Sequence, residues 1–138
     1  MMFLDSWVWL EFLFDGEKTD EAESVILRAD TADGGGLITP TVLAEVSYRI
    51  RVVEDTETAE TAVRAMQEYE YIESFPVVDE IGVYASELRH KYYDRDEQPL
   101  SYADAIHLAT AVLHEDCHTL YTGDPDFDDI EEIETVVL

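Results

Sequence analysis

The chain of 138 residues is long enough for one domain with a single hydrophobic core, since 46% of its residues are hydrophobic and 11% are aromatic. Its 33 acidic and 8 basic residues give a net charge of −25, but this hydrophobic content argues against a disordered acidic chain. Cys117 is the one cysteine, which excludes an intrachain disulfide and leads us to expect an intracellular, cytoplasmic protein.

The acidic residues are spread along the chain between apolar segments instead of being collected in a tail. A folded protein with this charge repels itself, and at molar salt the Debye length of roughly 3 Å screens that repulsion. We therefore interpret the composition as that of a protein from an extreme halophile, with an ordinary acidic protein as the alternative.

The first predicted unit is a buried strand over residues 1–4, followed by Asp5 and by a helix over residues 6–14. The segment has no basic leader and is interrupted by Asp5 and Glu11, so we expect neither a signal peptide nor a membrane span. A second amphipathic helix over residues 18–30 ends before a glycine-rich turn, and a short strand over residues 37–39 follows.

Thr39 and Pro40 mark the start of a helix through residue 53, because threonine caps helices and proline suits the first turn. The elements predicted after it are a helix over 56–71, an extended segment over 72–79, a helix over 80–95, a helix opened by Ser101, a strand over 118–122, a turn over 123–129 and a strand over 133–138. Short apolar strands that alternate with helices predict one α/β domain with a mainly parallel sheet.

Four acidic residues occupy related places in these predicted elements. Asp5 and Asp124 lie just after two strands, and Glu45 and Asp104 lie within the first two turns of helices. Ligands of open α/β sheets bind at the carboxyl ends of the strands, so we expect these side chains to meet at one edge. Converging carboxylates repel one another unless a cation holds them, and hard oxygen ligands suit Mg²⁺ or Mn²⁺.

Each of these acids also has a purely structural explanation. Asp5 can cap the first helix, and Asp104 stands in a Ser-x-x-Asp pattern close to a capping box. Glu45 can pair with Arg49 one turn later, and Asp124 belongs to a Gly-Asp-Pro turn. The spacing of the residues alone therefore leaves the metal site open.

Three segments resemble the PIN-domain nucleases, and in particular the VapC-type toxins of toxin–antitoxin pairs: FLDSWVWLEFL, TPTVLAEVSYRI and LSYADAIHLATAVLHEDCHTLYTGDPDF. They follow the order of the family, and the resemblance spans nearly the whole chain. The most specific match is an Asp-Ala-x-x-x-Ala-x-Ala helix followed by a strand and Thr-x-Asp-x-Asp-Phe. The residues that form it are Asp104, Ala105, Ala109, Ala111, Thr122, Asp124, Asp126 and Phe127.

The resemblance implies a single PIN-like domain over residues 1–138, with three α/β/α layers around a mainly parallel sheet. It also implies a catalytic set of acids that binds one or two Mg²⁺ or Mn²⁺ ions. The implied set is Asp5, Glu45, Asp104 and Asp124, with Asp126 as an auxiliary metal-binding acid. Ser6 and Thr122 match hydroxyl positions that support these carboxylates.

The activity implied by the resemblance is endonucleolytic cleavage of single-stranded or looped RNA by metal-activated water, leaving 3′-hydroxyl and 5′-phosphate ends. The implied partners are the RNA substrate, a second copy of the chain in a homodimer, and a small antitoxin that covers the acidic site. The chain would then be the toxin of a type II toxin–antitoxin pair. A PIN-like protein without nuclease activity, or an acidic binding module, is the alternative.

Basic residues are few and partly clustered. Arg49 and Arg51 on the third predicted helix are the predicted RNA contacts, and Arg89, Lys91 and Arg95 form a second group of candidate phosphate contacts. The alternative is that these side chains form salt bridges with neighbouring acids.

The sequence HEDCH, residues 114–118, has the His-Glu-x-x-His form of a zinc protease, in which two histidines share one face of a helix. Here the pattern straddles the end of a predicted helix and leads directly into a strand. We therefore expect the two histidines to point in different directions, which argues against a zinc site.

Two other histidines, His90 and His107, are interpreted as packing or surface residues. The aromatic residues Trp7, Trp9, Phe12 and Tyr48 are interpreted mainly as core residues, with a dimer or antitoxin surface as the alternative.

Overall fold

Five short strands form one sheet in the computed structural model, which describes residues 1–93 and 100–138. The strands are β1 (Met2–Leu4), β2 (Gly36–Ile38), β3 (Ile72–Ser74), β4 (Thr119–Thr122) and β5 (Glu134–Val137). They pair in the order β3-β2-β1-β4-β5, and every pair is parallel. The prediction of an α/β domain with a parallel sheet is confirmed.

In the described residues, six helices flank the sheet: α1 (Ser6–Leu13), α2 (Thr19–Ala29), α3 (Pro40–Val53), α4 (Thr56–Gln67), α5 (Asp79–Lys91) and α6 (Tyr102–Leu113). α1 packs against α2, α3 against α4, and α5 against α6. The side chains of Asp5, Thr39 and Ser101 each accept a backbone N–H at the start of α1, α3 and α6, as predicted. Within the two described ranges, no helix is long and apolar enough to cross a membrane.

The burial of α2 follows the helical period, whereas that of α6 does not. On α2 the buried residues form one face, namely Ala22, Val25, Ile26 and Ala29. On α6 they surround the helix, namely Ala105, His107, Leu108, Ala109, Thr110 and Ala111. The alanines let α5 and strands β1 and β4 approach α6 closely. A polar side chain in the middle of α6 therefore needs a partner inside the protein.

Helix α4 is shorter than its sequence pattern predicts, and the prediction of a helix over residues 56–71 is wrong for its last four residues. The backbone groups of Tyr71 bond to residues outside α4 and not within a helix. Its N–H donates to the Asp30 carboxylate at 2.9 Å, and its carbonyl accepts the N–H of Gly36 at 2.7 Å. These contacts lead the chain into β3. The predicted extended segment over 72–79 is a strand only at Ile72–Ser74, and α5 begins at Asp79. The helix predicted over 80–95 ends at Lys91 with Tyr92 as its C-cap, so the prediction is wrong for residues 92 and 93, and residues 94 and 95 lie outside the described residues.

The strand order creates a crevice between two central strands. From β1 the chain moves to β2 and β3 on one side of the sheet, and it later crosses to β4 and β5 on the other side. β1 and β4 are therefore neighbours whose connections leave in opposite directions, with Leu4 beside Tyr121 at their carboxyl ends. Open α/β sheets bind their ligands at such a switch point. The acids that follow β1 and β4 consequently lie at this crevice.

Candidate active site

Asp5 lies directly after β1 and is buried, with 3% of its surface exposed. Its Oδ1 accepts the backbone N–H of Ser6 at 2.8 Å and faces the Ser6 hydroxyl at 3.4 Å. Its Oδ2 accepts the hydroxyl of Thr122 at 2.6 Å. Burial alone would raise the pKa of Asp5, but the hydrogen bonds that it accepts, that from His107 first, lower the pKa and keep the group ionised.

Thr122 joins the end of β1 to the turn after β4. It is fully buried, and its hydroxyl both donates to Asp5 and accepts the backbone N–H of Asp124 at 3.1 Å. Asp124 in turn accepts the backbone N–H of Asp126 at 2.9 Å through Oδ1. This bond opens a short 3-10 turn, Pro125–Phe127. Oδ2 of Asp124 accepts no hydrogen bond from the described residues, so it is the less occupied oxygen for a ligand.

Asp104 stands in the first turn of α6 and is half-buried. Its backbone N–H donates to the Ser101 hydroxyl at 3.1 Å, which is one half of the predicted capping box. Burial, and then the negative charge of Asp5, raise the pKa of the Asp104 carboxyl to about 7, with further contributions from Asp124 and Glu45. The charges of the other three predicted acids thus all act on Asp104.

His107 connects two of these acids. It is fully buried on α6, its Nδ1 donates to Asp5 Oδ1 at 3.1 Å, and its Nε2 lies 3.1 Å from Oε1 of Glu45 on α3. The contact with Glu45 is an ion pair and not an aligned hydrogen bond, because the N–H does not point at the oxygen. Burial alone would lower the pKa of His107, but Asp5 and Glu45 raise it to about 9.

We use the term rim for the four residues Asp5, Glu45, Asp104 and Asp124. The structure places all four around the crevice between β1 and β4, with Ser6 and Thr122 bonded to Asp5 as supporting hydroxyls. Asp126 lies in the turn that begins at Asp124. The alternative pairing of Glu45 with Arg49 is not formed within the described ranges, where the ion pair of Glu45 is with His107.

The chemistry of the rim fits a divalent cation. Asp5, Asp104 and His107 each bring one possible donor atom to within 4.8 Å of the other two. Besides burial, the negative charges of Asp5, Asp124 and Glu45 raise the pKa of Asp104, because like charges brought close together repel one another. A divalent cation removes this repulsion, and oxygen-rich donor sets are typical of Mg²⁺ and Mn²⁺ sites. The carboxylates at the rim could therefore hold such an ion.

The two predicted RNA contacts lie on different sides of α3. Arg49 follows Glu45 by one turn and shares its face. Arg51 donates to Ser47 at 3.3 Å and, with Arg64 of α4, lines a cavity of about 320 Å³. In the part of the chain that the structure describes, neither Arg49 nor Arg51 has a carboxylate within ion-pair distance.

The second group of basic residues is held by structural contacts. Arg89 donates to the carbonyl of Leu100 at 3.0 Å and lies over the ring of Tyr102. Lys91 forms salt bridges with acids before β5, which is the alternative considered for these residues. Arg95 lies outside the described residues.

The HEDCH segment does not have the geometry of a zinc protease. His114 ends α6 as its C-cap and lies 3.4 Å from Glu73 of β3. The backbone N–H of His118 donates to the carbonyl of Met1 at the start of the sheet. The two imidazoles therefore do not share a helical face, as the sequence analysis expected.

Among the aromatic residues, Trp9 is buried and packs on Tyr69, whereas Tyr48 is 68% exposed. Trp7 is partly buried and lies against Gly123, where any side chain would collide with the indole ring. Glycine therefore lets the first position of the Gly-Asp-Pro turn lie directly against the indole ring, which would have to move for any larger residue. Tyr48 is a surface residue, and Trp9 belongs to the core.

His107 is the site residue that the sequence analysis missed. The interpretation of His107 as a packing residue is correct, since the centroid of its ring lies 5.5 Å from the centroid of the Phe3 ring. That interpretation does not consider that His107 follows Asp104 by three residues, so that both side chains lie on the same face of α6. That spacing is the signal in the sequence. The partners of the ring, Asp5 and Glu45, come from distant parts of the chain and could not be read from it.

Comparison with known protein families gives one match over most of the chain. The family model of the PIN domain matches residues 2–133. Among curated proteins, none matches the sequence significantly.

Solved structures with the same fold come from several bacteria. The toxin–antitoxin complex VapBC2 of Rickettsia felis, bound to a DNA fragment from its promoter, has a TM-score of 0.77 at 16% identity, covering 99% of this chain and 98% of that one. Mycobacterium tuberculosis VapC20, a toxin that cleaves the sarcin–ricin loop, has a TM-score of 0.74 at 18% identity over 97% and 99%. A toxin–antitoxin complex from Klebsiella pneumoniae has a TM-score of 0.67 at 23% identity over 99% and 96%. At these identities the similarity is one of fold.

Proposed function

The chain belongs to the PIN domain family, and from this premise we propose that it is a divalent-metal-dependent endoribonuclease, the toxin of a type II toxin–antitoxin pair. The observation that carries the proposal is the rim itself. Four carboxylates, from the residue after β1, from α3, from α6 and from the turn after β4, lie around the switch point of the sheet. Burial, and then the negative charges of the other three acids, raise the pKa of Asp104. A purely structural set of acids would not need this arrangement.

Asp5, Glu45, Asp104 and Asp124 would hold Mg²⁺ or Mn²⁺, with Asp126 as an auxiliary acid. A bound divalent ion supplies an activated water near neutral pH and neutralises the charge that builds on a phosphate. The protein contributes fixed ligands: Ser6 and Thr122 orient Asp5 through three of its hydrogen bonds.

The proposed substrate is single-stranded or looped RNA. One structural neighbour, VapC20, is a toxin that cleaves the sarcin–ricin loop. Arg49 lies on the same face of α3 as Glu45 and is the better placed of the two predicted RNA contacts. A net charge of −25 repels RNA at low salt, and we propose that molar salt in a halophilic cytoplasm screens this repulsion.

The proposed partners are a small antitoxin and a second copy of the chain. The neighbours from Rickettsia felis and Klebsiella pneumoniae are toxin–antitoxin complexes. Near Glu45, α3 exposes two large apolar side chains, Tyr48 at 68% and Val52 at 60%. Exposed apolar side chains of this kind favour a protein partner.

The proposal is tested by RNA cleavage in molar KCl with Mn²⁺, with an EDTA control. Asp104→Asn is compared with Asp20→Asn, since Asp20 also stands in the first turn of a helix but is exposed on α2. We expect metal-dependent cutting that Asp104→Asn reduces to the EDTA background and Asp20→Asn leaves unchanged. A folded, antitoxin-free protein that cuts no RNA from a structured mixture would favour the binding-module alternative, and full activity of Asp104→Asn would remove this residue from the site.

A further inference from the structure

His107 is enclosed between two of the rim acids, with none of its surface exposed. Nδ1 lies 3.1 Å from Oδ1 of Asp5, and Nε2 lies 3.1 Å from Oε1 of Glu45. The ring also lies against Phe3 of β1. Because the ring is fully buried, it cannot touch a substrate. Any part that it takes in the reaction must act through the two carboxylates.

A role as packing alone does not account for these contacts. An apolar side chain would fill the space against Phe3, but it would remove the imidazole contact from Oδ1 of the buried Asp5 and from Oε1 of Glu45. Buried charges without a partner are costly. The imidazole lies between the two carboxylates and places one nitrogen next to each of them.

A role as metal ligand is also disfavoured by the geometry. A ligating imidazole directs a nitrogen lone pair at the cation, whereas Nδ1 of His107 is hydrogen-bonded to Asp5 and Nε2 is in an ion pair with Oε1 of Glu45. His107 therefore lies close to Asp5 and Asp104 because it contacts the side chains that would bind the ion, and not because it binds the ion itself. Side chains in this position orient the ligands of a metal site and usually matter for its affinity.

We infer that His107 is a positioning residue that binds one oxygen of Asp5 and one oxygen of Glu45 and so holds both carboxylates in place for the cation. Oε2 of Glu45 would remain available to the ion, because Oε1 is the oxygen that contacts the ring. Oδ2 of Asp5 accepts one hydrogen bond, from Thr122, and retains further acceptor capacity. The ring thus fixes two ligands from different elements, β1 and α3, relative to each other.

The inference rests on the proposed metal site, and direct Mn²⁺ binding tests it without an activity assay. Free Mn²⁺ is measured by electron paramagnetic resonance in molar KCl for wild type and His107→Leu, with folding checked by circular dichroism. The matched control is His114→Leu, at the end of the same helix, whose ring also faces a carboxylate, Glu73 at 3.4 Å. We expect His107→Leu to weaken Mn²⁺ binding about tenfold to a hundredfold, and His114→Leu to leave it unchanged.

A second comparison separates positioning from general destabilisation. If His107 acts through Glu45, then His107→Leu must lose most of its effect on Mn²⁺ affinity in a Glu45→Gln background. Equal effects in both backgrounds would overturn the inference, as would unchanged or tighter Mn²⁺ binding by folded His107→Leu. A wild-type protein that binds no Mn²⁺ would defeat the proposed function instead.

Nuclear magnetic resonance of the wild-type protein covers the case in which the variants do not fold. Saturation with diamagnetic Mg²⁺ should shift the ring signals of His107 and leave its Nδ1–H proton bonded to Asp5, while the signals of His114 stay in place. No shift at His107, or loss of the Nδ1–H signal on metal binding, would contradict a positioning role.

Discussion

Acidic residues serve two different purposes in two regions of this molecule, the rim and the outer faces of α2 and α4. On α2 and α4 the acids are exposed, namely Asp20, Glu21, Glu23, Glu57 and Glu60. At the rim the same chemical group is buried or half-buried, and the carboxylates of Asp5, Glu45 and Asp124 each contact a hydroxyl, an N–H or an imidazole. Specific partners control the charge at the rim, whereas on the helices only water and salt can do so.

Two aspartates that cap helices, one at the rim and one on the surface, allow a direct comparison of the two regions. Asp5 caps α1 at the rim, and Asp55 caps α4 on the surface by accepting the backbone N–H of Thr58 at 2.7 Å. Asparagine is as good a cap as aspartate, so Asp→Asn keeps both helix starts while it removes the charge and replaces one acceptor oxygen with an amide NH2 group. We expect Asp5→Asn to lose RNA cleavage down to the EDTA background and Asp55→Asn to keep it. Equal activity of the two variants would show that Asp5 is only a cap.

Salt should act on the surface acids far more than on the rim. Exposed charges at a net charge of −25 repel one another in dilute buffer, and about 1 M KCl shortens the Debye length to roughly 3 Å. We expect the melting temperature to rise steeply between dilute buffer and molar KCl. Thermal denaturation followed by circular dichroism checks this, and a protein that is most stable in low salt would contradict the halophilic interpretation.

Replacing Thr122 measures how much its hydroxyl, which bonds to Asp5 and to the backbone of Asp124, contributes to stability. Thr122→Val keeps the shape of the side chain but removes the donor to Asp5 and the acceptor for Asp124. We expect a loss of about 1–3 kcal/mol in the free energy of unfolding, since two buried groups lose a partner. The control is Thr110→Val on α6, where the lost bond is to the carbonyl of Ile106 within the same helix. Denaturant unfolding in molar KCl should show a larger loss for Thr122→Val, and the reverse order would contradict this role.

The stability of the metal-free protein should fall as the pH rises from about 5 to 9. The pKa of Asp104, about 7, lies above its ordinary value of 3.8, so the folded state binds more protons between these values. The pKa of His107, about 9, lies above its ordinary 6.5 and acts in the same direction at higher pH. Melting temperatures in EDTA and molar KCl measure the trend, and Asp104→Asn should flatten its lower part. A stability that rises with pH over this window would be inconsistent with these shifts.

The fold was predictable because its signals are local. Short apolar runs, the caps at Asp5, Thr39 and Ser101, and the helical period of α2 are all visible in the sequence. The end of α4 was not predictable, since it depends on contacts of Tyr71 with Asp30 and Gly36 that only the folded chain brings together.

The sequence predicts which acids form the candidate site, but it does not predict the contacts of His107 that connect them. Strand ends and helix starts place Asp5, Asp104 and Asp124 near one edge by topology alone. The bond from Thr122 to Asp5 fits the supporting role implied by the family resemblance. The link through His107 depends on its burial between β1 and α3, and residue spacing does not encode which carboxylates a buried ring will meet.

The central claim, that the rim holds a divalent cation, is tested most directly by titrating Mn²⁺ into the protein in molar KCl. High salt suppresses loose binding to the exposed acids, so that saturable binding reports a specific site. We predict saturable Mn²⁺ binding by the wild-type protein that Asp104→Asn weakens strongly and Asp20→Asn leaves unchanged. Absence of saturable binding, or equal binding by the two variants, would contradict the claim and leave Asp104 as a residue of the helix start.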